Sequence, residues 1–342
     1  MKTTHRTVGL VLCLAGLAGC QNFATVHNQR VARNRAANDA SKARMAETAN
    51  AATEAVARAN LLESQGLDDV ALSEFEKAIA INPKLTIAYL GVGSIHKKRG
   101  NLTEAERAYS QAATVEPTNF DAQYNDGLVL QLLNRITEAV RAYLRALAIK
   151  PDSFDGNLNL ATAYLQLGEA GPALTYAQRA VKLDGKNGPA RVNLGAIYAA
   201  LGDNDNAVVE YQQAAELMDL TPELLLNLAD SLAKVGRYAE AQNTLEQLIR
   251  TKPTAAAYER LASALFRLNK FDESLASFRK ALELDPNYYP ALNGVGVNLL
   301  NKFLLSDKQD LDAKSEAIKS LRRSLQIEPK QPVVLDLVTR YG

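Results

Sequence analysis

The stretch VNLGAIYAALGD, residues 192–203, sets its apolar side chains at helical spacing and places an amide, Asn193, among them. Asparagine is a poor residue in mid-helix, because its side chain competes for backbone hydrogen bonds. Three more segments repeat the arrangement: YNDGLVLQLLNR (124–135) with Asn125, LNLATAYLQLGE (158–169) with Asn159, and LNLADSLAKVGR (226–237) with Asn227. The step from one amide to the next is 34 residues each time. Self-similarity of this period marks a repeat architecture, in which each unit buries its apolar face only against its neighbours.

Landmarks outside these segments keep the same step. Pro83, Pro117 and Pro151 lie 34 residues apart. Before them stand Ala71, Ala105 and Ala139, then Phe75, Tyr109 and Tyr143, then Ala78, Ala112 and Ala146, each set in register. A small residue recurs near the start of each unit: Ala59, Gly93, Gly127, Ala161, Gly195, Ala229, Ala262 and Gly296. Each unit therefore reads as two helices. An apolar stripe of helical period forms the first. A left-handed turn follows at Gly66, Gly100, Asn134, Gly168, Gly202, Gly236 or Asn269, residue types that tolerate that conformation after a helix. The second helix runs to a proline, which cannot continue it, and Pro253, Pro286 and Pro329 close later units.

This pattern closely resembles the tetratricopeptide repeat. Eight units open near Ala52, Thr86, Phe120, Phe154, Gly188, Pro222, Ala255 and Tyr289 and fill residues 52–329. The resemblance implies an all-α, right-handed solenoid of about eight helix-turn-helix repeats. Residues 330–342, with QPVVLDLVTRYG, read as a helix capping its exposed end. The chain departs from the family pattern in places. It has no Trp, Ala177 replaces the second-helix aromatic of unit four, and Gly185 and Asp219 stand where units four and five would close on proline. Leu248 replaces an Ala in unit six, and unit eight carries nine extra residues around FLLSDKQDLDAK (303–314).

Counted from the start of each unit, positions four, seven, eight and eleven cluster on one helix face, and positions two, six, nine and thirteen on the opposite one. Asn125, Asn159, Asn193 and Asn227 all occupy position six, away from the face expected to pack the helices. First helices of tetratricopeptide-repeat proteins line a concave groove, so the resemblance implies a ladder of four amides along its floor. An amide both donates and accepts. Such a ladder bonds the backbone of an extended peptide, or else each amide bonds a neighbouring helix or water. Leu158, Val192 and Leu226 stand beside the amides, with Thr162, Leu165, Ala196 and Ala199 nearby. They form either an apolar docking strip or packing between repeats. Lys97 and Lys98 towards one end, and Arg260 and Arg267 towards the other, either hold acidic parts of a ligand or are solvated. Position six of unit two is Gly91, so the carboxylate-clamp pattern of chaperone-binding members is not convincingly present.

Composition narrows the function further. Lys and Arg number 39 against 38 Asp and Glu, and 6% of residues are aromatic. There is no basic, aromatic stripe on which bases would stack, so no nucleic-acid partner is expected. His96 takes a packing position, in register with Leu62, Leu130 and Tyr164. No Ser-His-Asp set and no Gly-rich phosphate loop are visible. Asp307, Asp310 and Asp312 lack the Gly and Glu that complete a calcium loop. The reading expects no cofactor, no metal, no small-molecule substrate and no catalysis. It expects a protein or peptide partner, with a self-associating structural protein, or an enzyme with a site at the unit-eight insertion, as alternatives.

The N-terminal MKTTHRTVGLVLCLAGLAGCQN (1–22) begins with Lys2 and Arg6, continues with an apolar run over residues 8–18 and ends in small residues. That order is a secretory signal, and the run is shorter than the roughly 20 residues a bilayer needs. Leu17-Ala18-Gly19-Cys20 resembles the lipobox of bacterial lipoproteins. The resemblance implies that residues 1–19 are removed, that a diacylglycerol joins the Cys20 sulfur, and that the new amine carries an acyl chain such as palmitate. Two or more chains suffice for stable anchoring. Gln21 rather than Asp after the cysteine implies the outer membrane of the bacterial envelope, facing the periplasm. Residues 20–51 then read as a lipid anchor and an Ala- and Arg-rich, partly helical tether. Its Arg30, Arg33, Arg35, Lys42 and Arg44 either touch anionic head groups or are solvated.

Overall fold

The computed structural model describes residues 8–342, with side chains from residue 28 onward. Cys20 of the lipobox-like segment lies outside the described side chains. Among the described residues the chain is all helix and turn, with seventeen helices and no strand. It forms two compact bodies, one ending at Asn134 and the other beginning at Arg135.

The first body holds α1 (Val8–Ser64), α2 (Asp68–Ile81), α3 (Thr86–Lys98), α4 (Leu102–Val115) and α5 (Phe120–Leu132). The second holds α6 (Ile136–Ile149), α7 (Phe154–Gln166), α8 (Ala170–Leu183), α9 (Gly188–Ala200), α10 (Asn204–Leu217), α11 (Pro222–Lys234), α12 (Tyr238–Thr251), α13 (Ala255–Arg267), α14 (Phe271–Leu284), α15 (Tyr289–Leu305), α16 (Leu311–Ile327) and α17 (Pro332–Tyr341). Within each body, consecutive helices pack as antiparallel hairpins, and first helices also touch the first helices of adjacent units. The chain is thus an α-solenoid of helix-turn-helix repeats.

Local chemistry explains the helix ends. All seven turn residues singled out in the sequence have positive φ: 75–81° at the five glycines and 59° at Asn134 and Asn269. The turn after α9 shows the bonding this permits, with Asp203 N donating to Tyr198 O and Gly202 N to Ala199 O. The first helices from α5 to α13 are capped by Asn119, Ser153, Asn187, Thr221 and Thr254, whose side-chain oxygens each accept a backbone N–H of the first turn. At the other end, α8 and α10 have the same 14 residues as their proline-closed counterparts. Proline is therefore dispensable for ending the second helix. Asp184 Oδ1 accepts Lys186 N in an Asx turn after α8, as Asn82 Oδ1 accepts Lys84 N after the proline-closed α2.

The core repeats with the sequence. Phe75, Tyr109, Tyr143, Tyr211 and Phe278 of the second helices are buried, as are the alanines that flank them. Unit four, which has Ala177 there, places a stacked pair, Tyr164 and Tyr176, in the same apolar cluster.

Two expectations are corrected. The first unit has no helix start at Ala52, because α1 runs unbroken from Val8 to Ser64. Residues 28–64 hold no Gly or Pro, and Ala52 carries no capping signal. Burial nonetheless begins there, since residues 28–51 are exposed on every side while Ala52, Ala55, Val56 and Ala59 are buried. The second correction concerns position four, expected to be a plain packing position. In three units it is polar and ties the first helix to the end of the preceding second helix. Gln123 Nε2 donates to Pro117 O (3.2 Å), Asn157 Nδ2 to Pro151 O (2.9 Å) and Arg191 Nε to Gly185 O (2.9 Å). These bonds satisfy backbone carbonyls of the turns between the helices.

Candidate functional site

The first helices carry the candidate site, and position six is its key. In units two and eight this position is glycine for a steric reason. A Cβ on Gly91 would lie 2.3 Å from the Phe75 ring, and one on Gly294 would lie 2.1 Å from the Phe278 ring. A second-helix phenylalanine of the preceding unit thus fills the position-six space. Where the preceding aromatic is Tyr or is missing, position six keeps a side chain: Asn125 after Tyr109, Asn159 after Tyr143, Asn193 after Ala177, Asn227 after Tyr211 and Arg260 after Leu245. The amide run therefore begins after Gly91 because of Phe75 beneath it, and at its other end it gives way to Arg260.

All four amides are half-buried, as are Leu158, Val192 and Leu226 beside them. Position six sits at the joint between units instead of standing clear of the packing. In the first body, Asn125 Nδ2 donates back to Asp121 O (2.9 Å), and its Oδ1 accepts from Lys97 Nζ (3.1 Å). In the second body, Asn193 Nδ2 donates to Thr162 Oγ1 (3.0 Å), whose own hydroxyl donates to Leu158 O (2.9 Å). Arg260 makes the equivalent step to the unit before it, with Nε 2.6 Å from Asp230 Oδ1. Thr162 and Asp230 both hold position nine. The corresponding residue for Asn227 is Ala196, which offers no side-chain acceptor. The apolar neighbours are also partly committed: Val192 packs against the cluster around Tyr211, and Leu226 against the cluster around Leu245.

A hollow of about 270 Å3 lies between α11, α12 and α13, bordered by Asp230, Lys234, Tyr238, Arg260, Ser263 and Arg267. Burial works against the Arg260 charge, yet the hydrogen bond and charge of Asp230 hold its pKa above the ordinary value. Burial pushes the neighbouring Glu259 carboxyl up, against the Ser263 hydroxyl that donates to it at 3.0 Å. Lys234 and Arg267 are exposed at this edge.

Of the cations singled out in the sequence, three are engaged. Lys97 bonds Asn125 and lies 5.8 Å from the Tyr109 ring centroid, Lys98 pairs with Asp68 at 2.9 Å, and Arg260 pairs with Asp230. Lys234, which borders the hollow, was missed. Its signal was available, since it holds position thirteen as Arg267 does one unit later. Among the described residues no group of three His, Cys, Asp or Glu is placed to hold a metal ion.

Family models described as tetratricopeptide repeat match residues 87–119, 158–223 and 226–289, and one described as TPR repeat matches residues 131–168. Together these spans exceed half of the chain. None of the curated proteins matches it. Among solved structures, Pseudomonas aeruginosa pilF is 18% identical, with 64% of this chain and 99% of that one covered at a TM-score of 0.53. PilW, a widely conserved type IV pilus biogenesis factor, is 22% identical, with 63% and 98% covered at a TM-score of 0.50. The C-terminal part of a TPR repeat-containing protein from Cytophaga hutchinsonii is 13% identical, with 71% and 97% covered at a TM-score of 0.56. At these identities the likeness concerns the fold.

Proposed function

We propose, for a chain that belongs to the tetratricopeptide-repeat family, a non-catalytic adaptor that holds an extended protein segment along the first-helix face from α7 to α13. One observation carries this reading. Two position-six groups of that face, Asn193 and Arg260, bond position nine of the unit before, Thr162 and Asp230, whereas position nine before Asn227 is Ala196, which offers no side-chain acceptor. This amide stands three residues before Asp230, which borders a hollow edged by Lys234 and Arg267. It suits the backbone of a bound chain, which supplies both donors and acceptors. Asn159, Asn193 and Asn227 are therefore expected to differ in weight. Asn227→Ala should weaken partner binding by about tenfold, the loss of roughly one well-made hydrogen bond in a desolvated setting. Asn193→Ala should act mainly on stability, by about 0.5–1.5 kcal/mol. Binding assays beside urea titrations separate the two, and undiminished binding by a folded Asn159→Ala, Asn193→Ala, Asn227→Ala triple variant would falsify the reading.

The setting we propose is the bacterial envelope, with the chain cleaved before Cys20, lipidated on that sulfur and held at the outer membrane facing the periplasm. The lipobox-like segment supports this, as does a fold shared with a pilus biogenesis factor. The exposed part of α1 would then stand between anchor and repeats, and the partner would belong to an envelope assembly. Cys20→Ser should move the protein from the detergent-requiring membrane fraction to the soluble one. Unchanged fractionation would remove the lipid anchor from the account.

A further inference from the structure

α16 has 17 residues and α17, which packs on it, has 10. At 1.5 Å per residue these helices are about 25 and 15 Å long, so α17 leaves part of its neighbour uncovered. A hollow of about 620 Å3 opens along α16. Its apolar lining is Leu311, Ile318 and Tyr341, and its cationic lining is Lys314, Lys319, Arg322 and Arg323. The α16 residues among these recur at helical spacing and share one side of the helix. Leu311 is 65% exposed.

The side-chain charges that line the hollow are one-sided, with Gly342 of the last turn also at its edge. Among the described residues these four cations take part in no ion pair. Lys314 Nζ lies 5.9 Å from the Phe303 ring centroid, and Arg323 Nη2 donates to the neutral Asn287 Oδ1 at 3.3 Å. Nearby carboxylates are used elsewhere: Glu316 by Arg279, Asp310 by Lys302 and Asp336 by Arg340. Lys319 faces Arg322 and Arg323 three and four residues on, a like-charge arrangement that works against a bare helix.

We propose that this hollow is a second docking surface, for an acidic amphipathic segment of a partner protein. Such a segment lays apolar side chains on Leu311, Ile318 and Tyr341 and sets carboxylates against the four cations, the helix-in-groove mode of recognition. An anionic membrane is the poorer match, since bilayer binding asks for apolar side chains that project, whereas Ile318 is buried in the floor of a concavity. The surface belongs to α16 and α17 and is independent of the first-helix site.

The test uses the full chain and a labelled synthetic peptide about four helical turns long, with Glu and Leu on opposite faces, followed by fluorescence anisotropy. The comparator peptide carries Gln for each Glu. The native chain should bind the Glu peptide, more weakly as salt rises, and should bind the Gln peptide at least tenfold less well. Joint Lys319→Glu, Arg322→Glu and Arg323→Glu substitution should weaken binding about tenfold or more, and Asn227→Ala should leave it unchanged. If the charge-reversed chain loses helicity, the milder Lys319→Gln, Arg322→Gln set is used, with a several-fold weakening expected. Equal binding of both peptides, or no binding of the Glu peptide, overturns the proposal. So does sedimentation of the native chain with phosphatidylglycerol vesicles that is lost on charge reversal and has no peptide counterpart.

Discussion

Tyr211→Ala is expected to destabilise the second body by about 3–5 kcal/mol, the range for truncating a large aromatic in a packed core. Tyr211 is 1% exposed and sits in a cluster with Ala207, Val208, Ala214, Leu224 and Leu228. Gly195 lies against it so closely that a Cβ there would be 2.8 Å from the ring. The ring therefore fills a space that no neighbouring side chain can reach into. In a repeat array each unit draws its stability from its own interfaces, so the loss should concentrate in α9, α10 and α11. Hydrogen exchange should show those helices opening first, and a urea titration should show an early transition. A variant whose transition moves by less than about 1 kcal/mol would mean that the units repack without the aromatic. Unit four shows what such repacking takes: with Ala177 in that place, Tyr164 and Tyr176 stack at 5.9 Å in the same cluster.

The second large effect is alkaline. Burial, and secondarily the Glu63 charge, push the Tyr109 hydroxyl up to about 12 from an ordinary value of 10.0. The unfolded chain then releases this proton more readily than the folded chain. Stability from this group is complete below pH 10 and is lost as pH rises from 10 towards 12. Across that window the loss amounts to about 2.7 kcal/mol. Tyr211 is displaced in the same direction by burial, so the two act together. Tyr109→Phe should make the urea midpoint fall less steeply between pH 9.5 and 11.5, a window set by the raised value of about 12. Parallel curves for the native and Tyr109→Phe chains would show that the hydroxyl is better solvated than its 2% exposure implies.

Much of the fold was legible in the sequence, for a physical reason. Turn residues must accept positive φ, so Gly66, Gly100, Asn134, Gly168, Gly202, Gly236 and Asn269 announce themselves, and all seven adopt it. Helices α3, α5, α7, α9, α11, α13 and α15 open at the residues that open units two to eight. The unit-eight turn was less visible, because Asp307 and Lys308 take positive φ without being glycine. Ala52 opens the packing of the first unit without opening a helix, since alignment to a repeat gives a register, whereas a helix end needs a cap or a breaker.

The candidate site was legible in register but not in depth. The periodicity places the four amides in one row. It does not tell that Phe75 and Phe278 fill the position-six space at Gly91 and Gly294, because that contact joins a second helix to the following first helix. Nor does it tell that Asn193 is held by Thr162, since the partner lies 31 residues away along the chain. The position-four ties of Gln123, Asn157 and Arg191 escaped for the same reason: each acceptor is a backbone carbonyl six residues back.

The central claim is that the first-helix face from α7 to α13 receives a protein segment. The most direct measurement is photo-crosslinking in living cells, with a photoreactive residue at Val192, which is half-buried beside Asn193. The control position is Val209 on α10, which is 45% exposed and belongs to a second helix. One dominant envelope protein is expected to crosslink from Val192, to be absent from Val209 and to be reduced by Asn227→Ala. The same products from both positions, or crosslinks only to further copies of this chain, would contradict it.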